Sequence, residues 1–96
     1  MIARRALFRL LSKLDGGRVE IVDADGQRFA FGPPAAALHA TVTVRDPAVY
    51  RHVFRGSTGL ADTYMAGEWD VDDLAALFRI AARNMAPLDR LRQRWH

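Results

Sequence analysis

The sequence predicts an α+β domain: a small antiparallel sheet of about three or more strands with helices on one face. Three observations predict it. Val19 and Ile21 alternate with Glu20 and Val22, and Phe29 and Phe31 repeat the alternation beyond an Asp25-Gly26 turn signal. Leu38, Ala40, Val42 and Val44 then alternate with His39, Thr41 and Thr43. From Asp46 onward the apolar residues recur every three to four positions, which is the spacing of helices. A hairpin, a third strand and a run of helices make an α+β order, and 96 residues hold one such unit at most.

Residues Ile2 to Leu14 open the chain as an amphipathic helix. At 100° per residue Ala3, Leu7, Leu10, Leu11 and Leu14 share one side, and Arg5, Arg9, Ser12 and Lys13 the other, with Arg4 and Phe8 flanking. Gly16 and Gly17 stop it. Such a helix either lies in a membrane interface or completes the core of its own domain. Arg18 to Asp23 is the first strand. Asp25-Gly26 predicts a two-residue type I′ turn, and Gln27 to Phe31 returns. Gly32-Pro33-Pro34 breaks the strand, because proline cannot donate to a ladder. Leu38 to Val44 is the third strand.

Asp46-Pro47 marks a helix start, the aspartate capping and the proline filling the first turn. Val49, Tyr50, Val53 and Phe54 form its expected buried face, and Gly56 ends it. Ser57 or Thr58 opens the next helix, with Leu60, Ala61, Tyr64 and Met65 on its apolar face and Gly67 after its end. Trp69 is expected in a turn. Asp70 or Asp72 caps a further helix, Asp73 adds charge to its first turn, and Leu74, Leu77, Phe78 and Ala81 continue the apolar stripe with Ile80 at its margin. Pro87 restarts a short arginine-rich helix with Leu88, Leu91 and Trp95 on one side.

Composition narrows the chemistry. There is no cysteine, hence no disulfide, thiolate nucleophile or thiolate metal site. His39, His52 and His96 form no ligand spacing, so no metal site is expected. Asp23, Asp25, Asp70, Asp72 and Asp73 sit where turns and a helix start account for them, and Ser12 and Ser57 lack a nucleophile context. No catalytic residue is assigned. Gly56-Ser57-Thr58-Gly59 follows a helix rather than a buried strand, so no cofactor site is assigned either. The net charge of +3 is almost all arginine and suits a partner with phosphates. Nucleic acid is disfavoured, since neither a helix-turn-helix signature nor a stacking platform accompanies the charge. The sequence contains no run of about 20 apolar residues of the kind that spans a bilayer. Arg9 and Lys13 interrupt the N-terminal apolar stretch and no small-x-small site follows, against a signal peptide.

One stretch resembles a known family. Gly59, Leu60, Tyr64, Met65, Gly67, Trp69, Asp73, Leu74, Arg83 and Asn84 stand at matching positions of the N-terminal domain of the cyclopropane-fatty-acyl-phospholipid synthase family. Asp46-Pro47 and Phe31-Gly32-Pro33-Pro34 look like it too. Asp62 departs, where many members carry Glu. The resemblance covers roughly Val19 to Asn84. It implies a fold similar to the sterol-carrier-protein type, with an apolar groove for a lipid tail. It also implies that S-adenosylmethionine and the methyl-transfer residues belong to a separate C-terminal catalytic domain, so that this chain is not an enzyme by itself and holds no cofactor.

The expected organisation is a basic amphipathic helix over 1–17, an α+β domain over 18–84 and an arginine-rich helical linker over 85–96. The expected function is lipid handling or membrane docking beside a methyltransferase in cis or trans. Tyr64, Met65, Trp69, Leu74, Leu77 and Phe78 are the candidates to face lipid, and Arg4, Arg5, Arg9 and Lys13 to face headgroups. Ordinary core packing is the alternative for the first set. A structural module for an interdomain or homodimer contact, with no ligand of its own, is the alternative function. The expected place is the cytoplasm, peripheral on the inner membrane under the docking reading.

Overall fold

The computed structural model describes residues 2–94, without the side chains of residues 57 and 85–94. In chain order it runs α1 (Ile2–Leu11), β1 (Arg18–Val22), β2 (Arg28–Phe31), β3 (His39–Val44), α2 (Val49–His52), a 3₁₀ turn continuing α2 (Val53–Arg55), α3 (Ser57–Met65), β4 (Trp69–Val71) and α4 (Leu74–Arg94). The α+β class is therefore as the sequence predicts.

The strands form one sheet in the order β2-β1-β3-β4. Cross-strand partners point to the same face of a sheet. Val19 faces Phe31 and Ala40; Ile21 faces Phe29 and Val42. Val42 and Val44 face Val71 and Trp69. One face is thus continuously apolar. Val49 and Tyr50 from α2 and Ile80 from α4 are buried against it, and side chains of α1 and α3 pack around them. The other face carries Arg18, Glu20, Arg28, His39, Thr41, Thr43 and Asp70 and is wet. That is the one-sided sheet which period-two alternation encodes.

The sheet is mixed rather than wholly antiparallel, because β1 and β3 run parallel. The loop after β2 explains it. β2 ends beside the start of β1, and the loop passes under that start: Arg18 N–H donates to the Leu38 carbonyl at 2.9 Å, and Arg18 Nη1 to the Gly32 carbonyl at 3.0 Å. A Cβ on Gly32 would meet the Gly17 carbonyl oxygen at 2.0 Å, so only glycine allows the crossing. β3 then leaves from the same end as β1.

Local corrections have local causes. The β1–β2 turn is not type I′, which needs positive φ at two residues. Only Gly26 has it, Gly26 N–H donates to the Asp23 carbonyl, and Gln27 closes the loop, the pattern of a type I turn with a glycine bulge. Trp69 lies in β4 rather than a turn, paired with Val44. Asp73, not Asp70 or Asp72, caps α4, accepting from Ala76 N–H at 3.0 Å; Asp72 accepts from Thr41 N–H instead. Asp46 accepts from Ala48 N–H at 2.9 Å in the turn that leads into α2, rather than capping the helix itself, which starts at Val49 with no side-chain cap. Phe54 turns outward because α2 tightens to three residues per turn at Val53. α1 ends at Leu11, before the expected Leu14.

In α4, Ile80 is the centre of the buried stripe, not its margin: it is 1% exposed, with Ala76 one turn before it. The helix also passes through Pro87 rather than restarting there, forgoing one hydrogen bond to the Arg83 carbonyl. The alignment expected for Leu88, Leu91 and Trp95 lies outside the described side chains. No helix among the described residues is long and apolar enough to cross a membrane.

Candidate functional site

The alternation of β1 carries one position past the strand. Val19 and Ile21 point inward, and so does Asp23, which is only 6% exposed. A buried carboxylate needs partners, and three elements supply them. Arg4 of α1 donates from Nη1 to Oδ2 at 2.9 Å. Tyr50 of α2 donates from its hydroxyl to Oδ1 at 2.8 Å, and Ala24 N–H reaches the same oxygen at 2.8 Å. The Arg4 guanidinium also lies 5.2 Å from the Phe8 ring centre and 5.1 Å from that of Phe29, close enough for cation–π attraction. A shallow hollow of about 210 Å³, lined by Arg4, Asp23, Ala24, Asp25, Pro47 and Tyr50, opens beside the group.

Burial pushes the Tyr50 phenol well above its ordinary range; the hydrogen bond to Asp23 and that residue's charge push the same way, and Arg4 pulls back. Tyr50 therefore stays protonated and donating. The arrangement latches α1 and α2 to the β1–β2 hairpin. Among the described residues, no buried side-chain polar atom lacks a partner, and no three His, Asp or Glu side chains could hold a metal.

The expected lipid-facing residues separate. Trp69 is buried in the core, its Nε1–H donating to Thr63 Oγ1 at 2.8 Å, and Leu74 and Leu77 pack against that core. Tyr64 is partly exposed and packs on Trp69, ring centres 5.0 Å apart. Met65 and Phe78 are exposed. Thr63, drawn inward by the indole, turns Ala61, Tyr64 and Met65 away from the interior, so α3 buries Thr63 and half-buries Leu60.

The expected headgroup residues separate as well. Arg4 points inward to Asp23, whereas Arg5, Arg9 and Lys13 are exposed. The apolar side of α1 is occupied: Ala3, Leu7, Phe8 and Leu11 pack on the core, with Phe8 against Phe29, Phe31 and Tyr50. Its outer arc also carries Ile2, 87% exposed, and Leu10, expected on the packed side, is left 56% exposed at the edge of that side.

Several residues that carry the family resemblance have structural duties here. Asp73 caps α4, Asn84 exchanges hydrogen bonds with the Asp15 backbone in both directions, and Arg83 donates to the Gly16 carbonyl. Sequence reasoning missed Asp23 and Tyr50 as partners, although the inward register of Val19 and Ile21 already pointed to Asp23. Compared with protein-family models, with curated proteins and with solved structures, the chain gives no match.

Proposed function

We propose that the chain is a non-catalytic lipid-handling or membrane-docking domain that works beside a cyclopropane-fatty-acyl-phospholipid-synthase-like methyltransferase, supplied in cis or trans. The outer arc of α1 carries this reading. Exposed Arg5 and Arg9, with exposed Lys13 in the turn that follows, share this side with exposed Ile2, Leu10 is exposed at its edge, and α1 contains no carboxylate. Cations among phosphates with aliphatic side chains below them suit a headgroup layer. Docking thus uses the outside of the helix, since its apolar side is already committed to the core. S-adenosylmethionine and the methyl-transfer chemistry belong, on this reading, to the catalytic partner. The working place is the cytoplasmic face of the inner membrane.

Met65 and Phe78 favour a second role for another part of the surface, a contact with the catalytic domain or a second copy. Vesicle flotation with and without anionic lipid separates the two. Salt-sensitive flotation supports docking; no flotation at any lipid composition removes it and leaves the interface role.

A further inference from the structure

The outer arc of α1 has a neighbour. α1 packs on α2 through Phe8 and Tyr50, ring centres 6.0 Å apart. α2 and its 3₁₀ turn bury Val49 and Tyr50 and leave Arg51, Phe54 and Arg55 exposed, Phe54 by 49%. Neither segment contains an aspartate or glutamate. The other titratable groups on them are engaged: Arg4 with Asp23, Tyr50 with Asp23, and His52 with Glu68 at 3.2 Å. Five exposed cations therefore lie on two adjoining elements and the turn that follows α1: Arg5, Arg9, Lys13, Arg51 and Arg55. The chain has fourteen basic residues against eleven acidic ones, so without these five the remaining nine are outnumbered.

We propose that α1 and α2 with its 3₁₀ turn form one docking face for an anionic phospholipid bilayer, with Arg51, Phe54 and Arg55 sharing the work of the α1 cations. The proposal rests on the membrane-docking reading above and adds the second element and the lipid charge. The apolar side chains choose the bilayer over other polyanions. Ile2, Leu10 and Phe54 would stay in water against a phosphate backbone, whereas a headgroup layer takes the cations and the acyl region takes the apolar tips.

The test is flotation of the full chain with phosphatidylcholine vesicles, with and without phosphatidylglycerol, at low and high salt. The expected result is binding that needs the anionic lipid and falls as salt rises. Arg51→Ala with Arg55→Ala should weaken it roughly 25-fold, about fivefold for each cation removed. Phe54→Ser should reduce the binding that survives high salt, leaving the share of Ile2 and Leu10. Arg28→Ala with Arg45→Ala, on the wet side of the sheet, should change nothing. Thermal unfolding confirms that each variant is folded. If the chain floats but the Arg51/Arg55 variant floats equally well, the shared face is wrong and membrane docking stands. If the native chain binds no vesicle, membrane docking itself falls. If duplex DNA or RNA binds more tightly than anionic vesicles at equal salt, the partner is a nucleic acid and the proposal is overturned.

Discussion

The hydroxyl of Tyr50 donates to Oδ1 of Asp23 at 2.8 Å, twenty-seven positions away in the chain. That bond joins α2 to the hairpin, and Arg4 on the other carboxylate oxygen joins α1 to the same point. One buried acid thus fixes where two helices sit on the sheet.

Asp23→Ala removes the shared acceptor and leaves the Tyr50 hydroxyl and the Arg4 guanidinium unpaired. Breaking a fully buried pair costs about 3–5 kcal/mol. Arg4 keeps 35% of its side-chain surface in water, so the expected loss is smaller, about 2–3 kcal/mol. Urea unfolding of Asp23→Ala, Arg4→Met and the double variant measures it. The cycle should show coupling; strictly additive losses would mean that the two side chains act independently.

Alkaline pH should weaken the same latch. The folded chain holds the Tyr50 proton above the ordinary value of 10.0, where the unfolded chain gives it up. A raised acid contributes stability that is complete below the unfolded value and is lost as pH climbs toward the folded one. The stability gap between the native chain and Tyr50→Phe should therefore be constant below pH 10.0 and shrink above it. Thermal melts across that range check the sign; a gap that widens refutes it.

Thr63 tests the core beneath β4. Its Oγ1 accepts from the Trp69 indole at 2.8 Å while donating to the Gly59 carbonyl at 2.7 Å. Thr63→Val keeps the shape and strands a buried N–H, at a cost of about 1–3 kcal/mol. Adding Trp69→Phe removes the stranded donor, so in denaturant titrations the double variant should lose less than the sum of the singles.

Gly32 and Gly26 should differ although both have positive φ, 91° and 89°. Alanine at Gly26 meets no atom within 4 Å, so it adds backbone strain alone, about 1–2 kcal/mol. Alanine at Gly32 drives a methyl into the Gly17 carbonyl and the Arg18 backbone. Its expected cost exceeds about 3 kcal/mol, the upper end for backbone strain alone, read as a larger drop in urea midpoint.

The sheet was legible where it was long enough to alternate. Val19 to Val22 and Leu38 to Val44 declared both their strands and their inward residues. Trp69-Asp70-Val71 also alternates, but three residues between Glu68 and two aspartates look like a turn until Val44 is there to pair with. Alternation says nothing of strand direction, so the parallel β1–β3 pair was not readable; it depends on the loop passing Gly17.

The candidate surface was half legible for a related reason. The periodicity of α1 set Arg5 and Arg9 opposite Leu7 and Leu11, but it expected Leu10 on the packed side, where the structure leaves it exposed. Phe8 and Arg4, read as flanking, are drawn inward by Phe29 and Asp23. Phe54 shared the helical spacing of Val49 and Tyr50, and only the tightened turn at Val53 sets it apart.

The crossing of Gly32 beneath Gly17 also sets a schedule for a chain leaving the ribosome. β1 emerges early as one of the two inner strands, and its second neighbour arrives only after the proline loop has threaded past its start. Ile80, which packs on Gly17, emerges last of the buried residues described. Until then the oily floor beside Gly17 is only partly covered, by α1, α2 and α3, and the half-made protein keeps a sticky gap until α4 arrives.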